Sequence, residues 1–191
     1  MTSPFDGDAA RWAARAPDVS GDWFRRYSRL HGVGHTQRVH IHAERLLGEL
    51  DWSEHEARLV LCAALWHDIG RETDGIEPRH GELSVLRADK LGLLSAFTPT
   101  DAAVVRFAIH RHSLSDRDAA AWAAELRKYP DEVRRLAEPK RALRVLWLLK
   151  DADALDRIRL GFGDCADPRQ LRHPEAVALI PFAAELFAVL S

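Results

Sequence analysis

Ten histidines among 191 residues make imidazole the side chain to follow in this sequence. Several stand in order with carboxylates: His35, then His67-Asp68, then His80, His110 and His112, then the run Asp151-Ala152-Asp153-Ala154-Leu155-Asp156. Mixed imidazole and carboxylate donors suit borderline first-row ions, Mn, Fe, Co, Ni or Zn, better than calcium. Such an ion lowers the pKa of its water and polarises a phosphoryl oxygen, so the chemistry on offer is metal-assisted hydrolysis. Neither GxSxG, nor a P-loop, nor GxGxxG occurs in the chain.

Two apolar runs must position these groups. Leu59 to Trp66 reads LVLCAALW and leads into His67-Asp68; Leu143 to Leu149 reads LRVLWLL and leads into Lys150, Asp151 and Asp153. A helix that is apolar all round is expected to be buried on all sides. Carboxylates at its end are costly to desolvate unless something positive meets them. Asp68 falls in the last turn of its helix, just before Gly70, a C-terminal cap by its residue type. A carboxylate there faces the negative end of the macrodipole, unfavourable by ~0.3–1 kcal/mol, and a coordinated cation reverses that cost.

Helical-wheel arithmetic sorts the histidines. His35 and His42 share a face but lie ~10 Å apart along the axis, too far to share one ion. His42 is therefore read as an ordinary partly buried histidine, and His40 and His55 as surface residues. His173 precedes a proline in a loop and receives no role. His112 lies ~20° from Val105 on the stripe of Val105, Ala108 and Ile109, whereas His110 is ~140° away, so His112 is the one that faces inward. His80 opens a helix after Pro78. Asp153 is in line with Ala142, Leu146 and Leu149, and Asp151 lies nearer Leu143 and Trp147. Both sides are apolar, so periodicity leaves the choice between them open. Arg38, Arg71, Lys150 and Arg157 are candidates to bind a substrate phosphate, with a surface salt bridge as the alternative for each. His31 is either a general acid for the leaving group or a loop residue.

Helical spacing runs through the whole chain, and alternating strand patterns are scarce. Helices are expected over about 8–15, 20–30, 34–50, 53–68, 81–93, 100–112, 115–127, 131–137, 140–159 and 174–190. Ser53 and Thr100 stand before acidic residues as N-terminal caps. Pro181 falls inside the last of these helices, which must kink there or start later. The fold class is all-α, a single globular helical bundle over residues 1–191 with no repeat, low-complexity tract or linker.

Composition limits the partners. Twenty-seven basic and 29 acidic side chains give a formal charge of −2, which speaks against a broad nucleic-acid-binding surface. No apolar run approaches the ~20 residues of a membrane span. Met1 to Ala16 lacks the apolar middle of a signal peptide. Cys62 and Cys165 are far apart and form no CxxC pair, which suits a reducing cytoplasm.

The ordered set His35, His67-Asp68 and Asp153 resembles the HD superfamily of metal-dependent phosphohydrolases. The surrounding phrases HGVGHTQRV, ALWHDIGR and LLKDADALDRI resemble it too, over about residues 31–160. The resemblance implies an HD-type helical bundle, with the metal aspartate in an Ala-Asp pair followed two residues later by an aliphatic residue. That is Asp153, with Leu155 following, and Asp151 is the second choice. The family's two-metal branch adds histidines between the HD pair and the last aspartate. His80 in HGELSV is similar to its HPEIGA-type segment, and His112 in AIHRHS to its AIxxHx segment. Eleven residues, a short stretch, separate Asp68 from His80, and the GYP signature of the cyclic-di-GMP phosphodiesterases is missing.

By this resemblance the metal ligands are His35, His67, Asp68 and Asp153, with His80 and His112 for a second ion, and Asp68 is the catalytic residue. The implied activity is hydrolysis of a small phosphorylated substrate, a nucleotide or related phosphate ester, by one or two divalent transition-metal ions. Two other readings share the ligand set: an HD-fold di-iron oxygenase and a non-catalytic HD-like binding module.

Overall fold

The computed structural model describes residues 8–116, 139–161 and 167–191. Apart from Ser115 and Asp116, the helices expected over 115–127 and 131–137 fall on 117–138, which with Cys165 lies outside the described residues.

Helix α1 spans Asp8–Ala13, α2 Val33–Glu49, α3 Glu54–Trp66, α4 His80–Lys90, α5 Pro99–Arg111, α6 Pro139–Leu155, α7 Pro174–Ala178 and α8 Ile180–Val189. Among the described residues there is no strand. No helix among the described residues is long and apolar enough to cross a membrane. Helices α2, α3, α5 and α6 pack on one another, with α4 laid against α5 and α8 against α1. Leu46, Leu59, Ile109, Leu146 and Leu149 meet in the fully buried core between them.

Local signals set several helix starts. The Ser53 hydroxyl accepts the Glu56 N–H and opens α3. Helix α5 starts one residue earlier than expected, because Thr98 rather than Thr100 is its cap: the Thr98 hydroxyl accepts the Asp101 N–H, and Pro99 takes the first position. There the missing proline N–H costs nothing. Pro181 acts in the same way, and the helix expected over 174–190 is two, divided at Leu179.

The helix expected over 20–30 does not form. Only a 3-10 turn, Gly21–Trp23, is present, because the backbone groups of this segment find partners outside it. The Arg25 N–H donates to the Ile69 carbonyl at 2.9 Å, and the Arg87 side chain donates to the Asp22 and Trp23 carbonyls. The two apolar runs are also less enclosed than expected. Leu61, Cys62 and Leu65 of α3 are half-buried, and Trp147 of α6 is exposed.

Two glycines let α4 approach closely. A Cβ on Gly70 would stand 2.2 Å from the Leu83 backbone carbon, and a Cβ on Gly81 would stand 2.6 Å from the His110 carbonyl oxygen. Gly70 therefore serves contact and not the left-handed cap expected of it; positive φ occurs only at Gly92 and Gly161 among the described residues. The Gly70 N–H also donates to the Ser84 hydroxyl at 3.0 Å.

His40 was expected at the surface but is buried, and His42 is fully buried, edge-on to Phe182. Burial lowers each to about 4, against the desolvated cation; for His42, Asp156 pulls the other way.

Two outcomes follow from this packing. The unfolded chain binds protons at His40 and His42 as pH falls through about 6.5, while the folded chain stays neutral until about 4. Their contribution to stability is thus complete above pH 6.5 and drains away towards pH 4. Urea midpoints across that range will fall less steeply in a His40→Gln, His42→Leu double variant; an unchanged slope removes these two groups from the account. Gly70→Ala, which drives a methyl into the backbone of α4, will cost about 1–3 kcal/mol in the same assay.

Candidate metal centre

Four imidazoles are held in one manner. The His67 Nδ1–H donates to the Ala64 carbonyl at 2.8 Å and the His112 Nδ1–H to the Ile109 carbonyl at 2.6 Å. These acceptors belong to the last turns of α3 and α5, where carbonyls lack intrahelical partners. The His80 Nδ1–H donates to the Glu77 carbonyl at 2.5 Å, and the His35 Nδ1–H to Asp156 Oδ2 at 2.7 Å. In this tautomer each ring has given its proton outward and turns a bare Nε2 lone pair inward.

The inward nitrogens meet in pairs. His35 Nε2 lies 3.0 Å from His67 Nε2, and His80 Nε2 lies 3.0 Å from His112 Nε2. Facing lone pairs at that distance repel unless a proton or a cation lies between them. Asp68 reaches both pairs. Its Oδ2 is 3.6 Å from His35 Nε2 and 3.8 Å from His67 Nε2; its Oδ1 is 3.5 Å from both His80 Nε2 and His112 Nε2. Asp68 Oδ1 is buried with no hydrogen-bond donor among the described residues. A buried bare carboxylate oxygen costs free energy that a cation would recover.

Asp153 joins the first pair, with Oδ1 3.4 Å from His35 Nε2 and 3.9 Å from His67 Nε2. Its side chain is 29% exposed, whereas that of Asp68 is 3% exposed, so the cluster opens to solvent on the Asp153 side. Donor atoms of His35, His67 and Asp153 all lie within 4.8 Å of one another, as do those of His67, Asp68 and His112 and those of His31, His35 and Asp68. These residues could hold a metal.

Electrostatics keep the donors in their ligating forms. Burial pushes His35 well below the usual imidazole range, helped by the Arg159 charge and His67. Burial also lowers His67, and lowers His80 to about 4 with help from His112. Burial alone would raise Asp68, but His67, the His31 N–H and the Arg71 charge prevail and hold it well below the usual carboxylate range. Asp153, where burial is likewise overcome by His67, His35 and Arg159, is held at about 2. At neutral pH His35, His67 and His80 are therefore neutral and Asp68 and Asp153 ionised, the states that ligate metal.

The structure brings His35, His67, Asp68, His80, His112 and Asp153 together and sends Asp151 elsewhere. Asp151 accepts the backbone N–H groups of Arg172 and His173 and their side chains, which ties the segment before α7 to α6. His173, given no role from sequence, is part of that tie. His110 is absent from the cluster, while the wheel's choice, His112, is in it.

The expected phosphate binders divide. Arg71 is at the site, with Nε 3.0 Å from Asp68 Oδ2 and Nη2 3.5 Å from His80 Nε2. Arg38 is turned to structure instead. Its Nε and Nη2 grip the Asp156 carboxylate at 2.6 and 3.1 Å, and its Nη1 donates to the Leu190 carbonyl. A buried carboxylate attracts the nearest guanidinium, and Asp156 is fully buried beneath His35. Lys150 Nζ donates to the Leu114 carbonyl and to Asp116 Oδ1 at 2.6 Å. Arg157 is half-buried on the 3-10 turn Asp156–Leu160.

Three residues escaped the sequence reading or received no firm role in it. The His31 Nδ1–H donates to Asp68 Oδ2 at 3.0 Å. Asp156 orients His35, and Arg159 places Nη2 3.3 Å from His31 Nδ1. Their spacing was a signal: His31 precedes His35 by four residues, and Asp153, Asp156 and Arg159 recur every third residue.

A family model described as HD domain matches residues 32–158. No curated protein and no solved structure matches the chain.

The arrangement makes Asp156 the support of His35. In Asp156→Asn the Arg38 guanidinium loses its counter-charge, which will cost about 3–5 kcal/mol of stability by chemical denaturation. Weaker orientation of His35 will also lower metal affinity by about 10–100-fold in chelator competition. Wild-type affinity in a folded variant would show that His35 needs no such support.

Proposed function

The chain belongs to the HD-domain family, and from that premise we propose that it is a metal-dependent phosphohydrolase acting on a small phosphate ester, a nucleotide or a close relative. The observation that carries the reading is the convergence of bare Nε2 lone pairs, in two pairs, on the two oxygens of one buried carboxylate. His35, His67, Asp153 and Asp68 Oδ2 would hold one ion; His80, His112 and Asp68 Oδ1 would hold a second. This donor set fits Mn, Fe, Co, Ni or Zn. A divalent ion bound there supplies Lewis-acid polarisation of a phosphoryl oxygen and a water of lowered pKa.

The remaining tasks belong to the chain. Asp68 serves both donor pairs because a carboxylate has two oxygens with several lone pairs. Arg71 adds to the effect of His67 and His31 in keeping Asp68 ionised and puts a guanidinium beside it, where a phosphoryl group can accept N–H donors. Asp153 lies on the open side of the cluster. Two cations beside the cluster, Arg71 and Arg159, favour an anionic substrate over dioxygen, which needs no such charge.

Metal analysis with a substrate panel tests the reading. Wild type will hold about two ions and hydrolyse phosphate esters; His80→Ala and His112→Ala will each bring the content towards one. Asp68→Ala will hold almost none while keeping the helical circular-dichroism spectrum. Asp153→Asn will lose activity, and Asp151→Asn will keep it. Full metal content in Asp68→Ala, or loss in Asp151→Asn alone, overturns the ligand assignment. A mixed-valence iron pair with no phosphatase activity would replace hydrolysis by oxygen chemistry.

A further inference from the structure

Beside the metal centre lies a cleft of about 740 Å³, a volume that accommodates a nucleotide-sized molecule. Arg25, Arg26, Arg29, Arg38 and Arg159 line it, and no aspartate or glutamate does among the described residues. None of the six donor residues lines it either; Arg159 is the link. Its Nη2 lies 3.3 Å from His31 Nδ1, the nitrogen whose N–H goes to Asp68 Oδ2, so His31 neighbours both the cleft and the carboxylate at the centre of the cluster.

The charges in the cleft are incompletely answered. Arg38 and Arg159 share one carboxylate, Asp156, and Arg38 holds the better half of it: Nε at 2.6 Å, against 3.6 Å for Arg159 Nη1. The Arg159 side chain is only 7% exposed, and its Nε is buried with no acceptor among the described residues. A buried guanidinium with an unused donor costs free energy that an anion would recover. Arg29, at the surface, makes no ion pair among the described residues. Arg25 pairs with Glu72 and Arg26 with Asp74, both through exposed side chains. Exposed pairs of that kind are weak and open to exchange. Guanidinium forks match phosphate oxygens two at a time, which singles out phosphate among anions.

We propose that this cleft binds a second phosphate of the substrate, so that the molecule hydrolysed carries one phosphate at the metal cluster and another on the side that enters the cleft. Nucleoside diphosphates and bisphosphates have that chemistry, and a simple monoester lacks it. The proposal rests on the phosphohydrolase reading for the first phosphate, whereas the cleft itself is built from side chains outside the metal ligands. Arg159 lines it beside His31, and Arg29 stands among the exposed residues of the 24–30 segment. Tyr27, which is 81% exposed, offers the same segment a flat ring for a base or sugar.

Inert alkyl phosphonates test this by titration calorimetry on the metal-loaded protein. The probes are α,ω-bisphosphonates of graded methylene length and monophosphonates of the same lengths. At the length that spans cluster and cleft, the bisphosphonate will bind about tenfold or more tightly than its monophosphonate. Arg29→Ala, a surface change that leaves the fold intact, will remove most of that advantage while leaving monophosphonate affinity unchanged. Arg159→Gln will remove it as well. Equal affinities at every length, or a full advantage in Arg29→Ala, overturns the proposal. If monophosphonates fail to bind the loaded protein, the phosphohydrolase reading falls. Bisphosphonate binding that still depends on Arg29 and Arg159 then upholds the cleft, and its absence overturns that too.

Discussion

Six donor groups that repel one another are held together in the interior of this protein. Bare imidazole nitrogens face each other at 3.0 Å, and two ionised carboxylates stand among them. No local preference favours such an assembly. The helices must therefore bring enough apolar burial to hold it, and the arrangement makes physical sense as a receptacle for positive charge. Much of the rest of the structure can be understood as scaffolding for that one constraint.

The scaffolding uses the ends of helices more than their faces. His67 and His112 follow the last turns of α3 and α5, and each ring donates to a carbonyl three residues back that the helix leaves open. His80 does the same with the turn before α4. One hydrogen bond thus satisfies a backbone group, fixes a tautomer and aims the other nitrogen inward. The depth of the site depends on α4 lying close to the Ile69-Gly70 turn and to the end of α5. Two residues without side chains, Gly70 and Gly81, provide that closeness.

Charge is arranged in a second layer around the first. Asp156 holds His35 on one side and Arg38 on the other, and Arg38 reaches on to the Leu190 carbonyl near the end of α8. The C-terminal helix is in this way coupled to the orientation of a metal-ligand candidate. Arg71 and Arg159 flank the same cluster, Arg71 directly on Asp68 and Arg159 through His31. Carboxylates at the centre and guanidiniums around them give the site negative charge inside and positive charge beside it.

The sequence by itself determined the all-helical class, the order of the donor residues and the choice of His112 over His110. These rest on periodicity and on short phrases, which act over a few residues and can be read locally. It left Asp151 and Asp153 undivided by the wheel, since both sides of α6 are apolar there. Only the fold separated them, by setting the Arg172-His173 backbone against one and His35 against the other. The same holds for the segment 20–30, whose helical spacing yields to backbone partners at Ile69 and Arg87, residues distant in the chain. Arg38 looked free in sequence because its partner, Asp156, is 118 residues away. His31 and Arg159, at a separation of 128, could be joined to the site only by folding. Local pattern encodes which groups exist and which helix face they occupy; the pairing of buried charges is a long-range choice, and only tertiary packing makes it.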